Sequence, residues 1–255
     1  MALSLPTPSA SPRAARRYLR APVPLCFPED ERVPEGDLHF ERRVLLYQIL
    51  RRAFGDEVLV SSDQFVYFDP TDPKKCLSPD VGFRTGTRQQ RLPIWKTWEL
   101  GAPHVGVELV SPSDRSRVRD LETKLERYRQ AGINELVRFD SENPKSPLRF
   151  WDLLEGDLVE RDLTDPQAHR CDALGLYWCV CEHPELSIVL RLARDAAGTD
   201  LLLSPEEELV RSTQAVAAEA AAKVAATAAT DAAIAEKDAA LARIAELEAE
   251  LARRR

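Results

Sequence analysis

Residues 103–140, "PHVGVELVSPSDRSRVRDLETKLERYRQAGINELVRFD", constrain this chain more than any other stretch. The run His104–Val110 is apolar except for Glu108 and reads as a strand. From about Asp114 to Ala131 the residues Val118, Leu121, Leu125 and Tyr128 form an apolar stripe at spacings of three, four and three, the pattern of an amphipathic helix. Glu135–Phe139 then reads as a second strand. Two strands joined through a helix lie side by side in one sheet, usually parallel.

The flanking segments extend this unit into a domain. "DLHFERRVLLYQILRRAFG" predicts a helix with Asp37 as N-cap, Phe40, Val44, Tyr47 and Phe54 on one stripe, and Gly55 at its end. Strand candidates follow at Glu57–Ser61, Gln64–Phe68 and Asp80–Phe83, with a turn-rich "FDPTDPKKCLSPD" before the last of them. Further candidates are Leu148–Leu153, Leu158–Leu163 and Gly175–Val180. A helix, several strands and a strand–helix–strand unit predict an α/β fold with a mixed sheet flanked by helices. The expected organisation is a Pro- and Arg-rich arm over 1–35, a domain over 36–195 and a helical tail over 205–255.

The tail differs in kind. From Glu206 to Arg255 there is no Gly or Pro and alanine dominates, so a long helix is expected. Leu241, Ile244, Leu247 and Leu251 make an apolar seam of about two heptads. The tail is read either as a homo-oligomerising segment or as a single frayed helix, and the residues leave both open.

Glu108 is the anomaly of the central strand. A buried, unpaired carboxylate costs several kcal/mol, so such a group is neutralised, paired or bound to a metal. Alternation puts Val105, Val107 and Leu109 on one face and Gly106, Glu108 and Val110 on the other, with Gly106 leaving room beside the acid. A second acid, Asp80, opens the strand after "SP". If these strands pair, Asp80 and Glu108 converge, and two close carboxylates favour a shared proton or a divalent cation. Oxygen ligands suit Mg²⁺ or Mn²⁺ rather than zinc. An ordinary turn aspartate and a Glu108–arginine pair are the competing readings. Lys124 lies about 80° from the centre of its helix's apolar stripe, on the border, from where it can reach the strand end.

Composition narrows the classes. The net charge is −7, so no global basic field attracts nucleic acid. The five cysteines lack zinc spacing and read as free thiols of a reducing cytoplasm. No apolar run reaches membrane-spanning length.

In sequence order, "SPD", "VELVSPSD" and "KLERYRQAGINELVRFD" resemble the Uma-two-type restriction-endonuclease family of the PD-(D/E)XK nuclease superfamily, over about His39 to Leu163. The resemblance implies a restriction-endonuclease-like core and a Mg²⁺- or Mn²⁺-dependent endonuclease acting on nucleic acid, with DNA as partner. It further implies Asp80 and Glu108 as metal ligands, the Leu109 carbonyl as a third, and Lys124 as the catalytic lysine. His39 and Glu41 would be ancillary. The superfamily pattern expects a lysine two residues after the second acid, where this chain has Val110; the lysine is then supplied by the following helix. Arg84, Arg88, Arg91 and Lys96 are read as a phosphate-binding rim or an ordinary solvated loop. Two alternatives stand beside this reading. One is an inactive nuclease-fold module that binds or assembles through its C-terminal helix. The other is a metal-free carboxylate-pair hydrolase of the glycosidase type.

Overall fold

The computed structural model describes residues 36–111, 118–165 and 167–254. The 1–35 arm, Cys26 and the expected helix start at Asp114 lie outside the described residues. By internal contacts the chain divides into two compact units, Met1–Leu202 and Leu203–Arg255.

Helix α1 (Asp37–Phe54) is capped by Gly36 rather than by Asp37, which is the first helical residue and meets the positive end of the helix dipole. Its C-terminus closes on Gly55, whose φ of 54° suits glycine. The buried face is Arg43, Leu46, Ile49 and Leu50, not the expected stripe, and Phe40 is half exposed. Each fully buried aliphatic side chain contributes roughly 1.5–3 kcal/mol. That burial sets the rotation of α1 against the sheet.

Strands β1 (Val58–Ser62), β4 (Val81–Thr85), β6 (Val105–Leu109), β7 (Glu135–Phe139), β8 (Leu148–Leu154) and β9 (Asp157–Glu160) form a six-stranded sheet in the order β1-β4-β6-β7-β8-β9. Within this sheet only β6 and β7 run parallel, and helix α3 (Val118–Ala131) lies between them in the chain. The other neighbours are antiparallel. A short helix, α2 (Thr97–Leu100), precedes β6. The fold is thus a mixed sheet flanked by helices, with a long C-terminal helix α4 (Pro205–Arg253) as a separate unit.

Two apolar clusters cover the sheet. Val105, Val107 and Leu109 of β6 join Leu46, Ile49 and Leu50 of α1 in one. This cluster also takes Trp178, Leu190 and Leu192 from a second sheet, β10 (Arg170–Cys171), β11 (Leu176–His183) and β12 (Ser187–Ala193). The other cluster gathers Tyr128 and Ala131 of α3 with Leu59, Leu136 and Trp151, and with a small sheet of β2 (Val66–Tyr67), β3 (Cys76–Leu77) and β5 (Trp95–Lys96). Strands β3, β5, β10 and β12 are absent from the sequence reading.

Candidate active site

The site grows from the place where two ladders end out of step. Pairing of β4 with β6 stops at Val81 opposite Val107, whereas β6 continues beside β7 to Leu109 opposite Phe139. Glu108 and Leu109 therefore extend past the β4 ladder. Side chains replace the missing strand. The Leu109 N–H donates to Asp80 Oδ2 at 2.6 Å, and the Leu109 carbonyl lies 2.9 Å from His39 Nε2. The same nitrogen is 3.5 Å from Asp80 Oδ2. The Asp80 carbonyl is held in turn by the Ser62 hydroxyl and the Asp63 N–H, each at 3.1 Å, and Ser62 accepts from buried Arg43 of α1 at 2.8 Å.

Glu108 is 8% exposed, and α3 supplies both of its partners. Lys124 Nζ donates to Oε2 and Tyr128 O–H donates to Oε1, each at 2.5 Å. Positions 124 and 128 are four apart and share a helix face. Gly106 permits this approach, because a Cβ there would lie 2.5 Å from Tyr128 Cε1. Burial pushes the Glu108 carboxyl above the ordinary carboxylate range, with Lys124 opposing that shift and Asp80 adding to it. Burial and the neighbouring Glu108 charge push the Tyr128 phenol well above its usual value, so it remains a proton donor. The acid in the strand thus pairs with a lysine and a tyrosine, not with an arginine.

The donor set decides what this arrangement can hold. Among the described residues no three His, Cys, Asp or Glu side chains form a closed metal cage. Asp80 Oδ2 and the Leu109 carbonyl both lie within reach of one His39 nitrogen, so these two oxygens face a common point. The neighbouring Glu108 carboxylate adds a third source of oxygen. A sparse, hard set of this kind fits Mg²⁺ or Mn²⁺, which keep waters and substrate oxygens in their remaining positions.

Other sequence-predicted residues fall elsewhere. Glu41 is exposed on α1, two residues and so about 200° around the helix from His39, and no hydrogen bond joins it to the site acids. Arg84 lies four residues along β4 from Asp80, about 13 Å away, and binds the Ala102 carbonyl at 2.7 Å. Arg88 pairs with Asp56 at 3.3 Å and Lys96 with Glu99 at 2.9 Å. Each of these three has a local partner. Arg91 lines a groove of about 600 Å³ with Ser62, Gln64 and Phe65, alongside β1. The groove shares Ser62 and Asp63 with the support of Asp80 but holds neither site acid.

A second buried acid, Glu135, was not singled out by the sequence. It accepts from Trp178 Nε1 at 2.7 Å and lies 3.3 Å from Arg161. Burial pushes its carboxyl up to about 7 against the opposing Arg161 charge. Burial lowers the Arg161 guanidinium, but Asp152 and Glu135 together outweigh this and hold it above its ordinary value. Its partners tie this acid into the joint between β7 and the second sheet.

Fold and site together define an α/β protein in which the ends of two interior strands place Asp80, Glu108 and the Leu109 carbonyl near a helical lysine. The chain belongs to the Uma2 family, described as "Putative restriction endonuclease", whose model matches residues 30–188, more than half of its length. No curated protein matches the chain. A solved structure, a putative nuclease belonging to DUF820 from Anabaena variabilis, is similar at 11% identity with a TM-score of 0.38, covering 61% of this chain and 76% of its own. At that score the likeness bears on neither fold nor chemistry.

Proposed function

We propose that this protein is a metal-dependent endonuclease that hydrolyses phosphodiester bonds of nucleic acid, with DNA as substrate and Mg²⁺ or Mn²⁺ as its ion. The observation that supports the reading is the contact of Asp80 with Leu109 beside a buried Glu108 that is already bonded to Lys124. The two carboxylates and the carbonyl would hold the ion. When bound, it would act as a Lewis acid toward a phosphate oxygen and lower the pKa of a coordinated water. Lys124, two-fifths exposed, holds its ammonium against the carboxylate's edge. There it orients an attacking water or offsets charge developing on the phosphate. Tyr128 fixes the Glu108 carboxylate by binding the oxygen that Lys124 does not. His39 stands beside the Leu109 carbonyl and Asp80, in reach of a phosphate oxygen placed there.

The second reading is a nuclease-fold binding module assembled through α4. The net charge of −7 and the exposed apolar residues of α4 favour it. One assay separates the two. Supercoiled plasmid is incubated with the protein and Mn²⁺ or Mg²⁺. Nicking is expected that stops with chelator and falls at least about 100-fold in Asp80→Asn and Glu108→Gln, the scale of losing electrostatic stabilisation of a developing charge. Nicking that both variants retain would overturn the endonuclease reading, as would a wild-type protein that leaves a panel of DNA and RNA substrates intact with either ion.

A further inference from the structure

Helix α4 runs 49 residues from Pro205 to Arg253 and buries none of them. Its entry is firmly built, with Ser204 and Glu207 forming a reciprocal capping box and Pro205 in the first turn. The amphipathic seam visible at its end is longer than two heptads. Ile234, Leu241, Ile244 and Leu251 are all at least half exposed. Together with Lys237 and Glu248 they fall alternately three and four residues apart: 234, 237, 241, 244, 248, 251. That is the a/d register of a left-handed coiled coil with a charged residue in two of its six layers.

The charges decide how the seam can be covered. A parallel, in-register pair of copies stacks Lys237 on the partner's Lys237 and Glu248 on the partner's Glu248, two like-charged layers in a seam of six. An antiparallel pair centred between Ala242 and Arg243 does the reverse. Leu241 then meets the partner's Ile244, Ile234 meets the partner's Leu251, and Lys237 meets the partner's Glu248. Every apolar residue of the seam faces an apolar residue and both charges are complemented. Flanking positions agree: Ala245 and Ala240 let the backbones approach, and Leu247 covers the partner's Ala240. The polar residues Arg243, Glu246, Glu250 and Arg254 pair within their own helix, Arg243 with Glu246 at 2.9 Å and Arg254 with Glu250 at 2.8 Å, which leaves the seam charges to a partner.

We propose that α4 is a homodimerisation element, in which residues 231–254 of two copies form an antiparallel coiled coil about 36 Å long with Lys237 and Glu248 as reciprocal partners. The interface is independent of any nuclease activity. The full-length chain at about 100 µM and low salt should sediment as a dimer. Lys237→Glu and Glu248→Lys, both on an exposed helix, should each shift it to the monomer mass with unchanged circular dichroism. Lys237→Glu combined with Glu248→Lys restores the complementary pairs and should return the dimer. A monomeric wild-type chain overturns the proposal. So does a dimer indifferent to either single reversal, or a double variant that stays monomeric.

Discussion

Glu108 occupies a position where an unpartnered carboxylate would cost several kcal/mol, and two donors from one face of α3 offset part of that cost. Tyr128→Phe keeps the ring against Gly106 but leaves one carboxylate oxygen without its buried donor. We expect a loss of about 1.5–3 kcal/mol, the range for hydrogen bonds to charged groups, read by urea unfolding. Gly106→Ala sets a methyl group against the Tyr128 ring, 2.5 Å from Cε1, and the overpacking should cost about 1–3 kcal/mol. An unaltered midpoint in both variants would mean that Tyr128 is not seated on β6. Much of this locus was legible beforehand. Strand alternation set Glu108 apart from the most continuous apolar face and marked Gly106 as space, and helical phase put Lys124 on the border of its stripe. The role of Tyr128 was not legible, because a tyrosine in an apolar stripe reads as core and the direction of its hydroxyl is settled only by packing. The bond from Leu109 N–H to Asp80 was equally hidden, since it depends on two ladders ending at different residues.

At the level of elements, the strand–helix–strand unit was readable because its periods are long and its helix has one apolar face. Helix α1 was recognised but rotated. Val44, Leu45, Leu46, Tyr47, Ile49 and Leu50 run nearly all the way round it, so several stripes fit, and packing against the sheet selects Leu46, Ile49 and Leu50. Strands β3 and β5 are two residues each, too short to carry a period. Strand β12 is buried over five consecutive residues, Val189–Ala193, so it shows no alternation. The contact between sheets predicts a pH dependence. Glu135 of β7 sits at about 7 when folded, above its ordinary 4.5, so the folded state holds its proton more tightly than the unfolded chain does. Its contribution is therefore favourable below pH 4.5 and is lost as pH rises through 4.5 to about 7. Glu135→Gln keeps an acceptor for Trp178 and leaves Arg161 its Asp152 partner. This variant should exceed the wild type in stability at pH 8 by about 1–3 kcal/mol, with the gap closing at pH 4.5. A variant that is weaker at pH 8 would show that the Arg161 pair outweighs burial.

Across the whole molecule, chemistry and assembly are expected to separate along the division at Leu202–Leu203. A chain ending at Leu203 should keep the cooperative unfolding of the first unit and any nicking activity per molecule, while losing self-association. Loss of folding on truncation would contradict that separation. Among the described residues no helix is long and apolar enough to cross a membrane. The net charge of −7 gives no broad attraction to a polyanion, so substrate binding must rest on the local site, where an ion would offset the two acids. The most direct measurement of that claim is a crystal of the full chain soaked in Mn²⁺ and recorded near the manganese absorption edge. The account predicts one anomalous peak coordinated by Asp80, Glu108 and the Leu109 carbonyl, and its disappearance in Asp80→Asn. Manganese bound elsewhere, with Glu108 still closed on Lys124 and Tyr128, would contradict it.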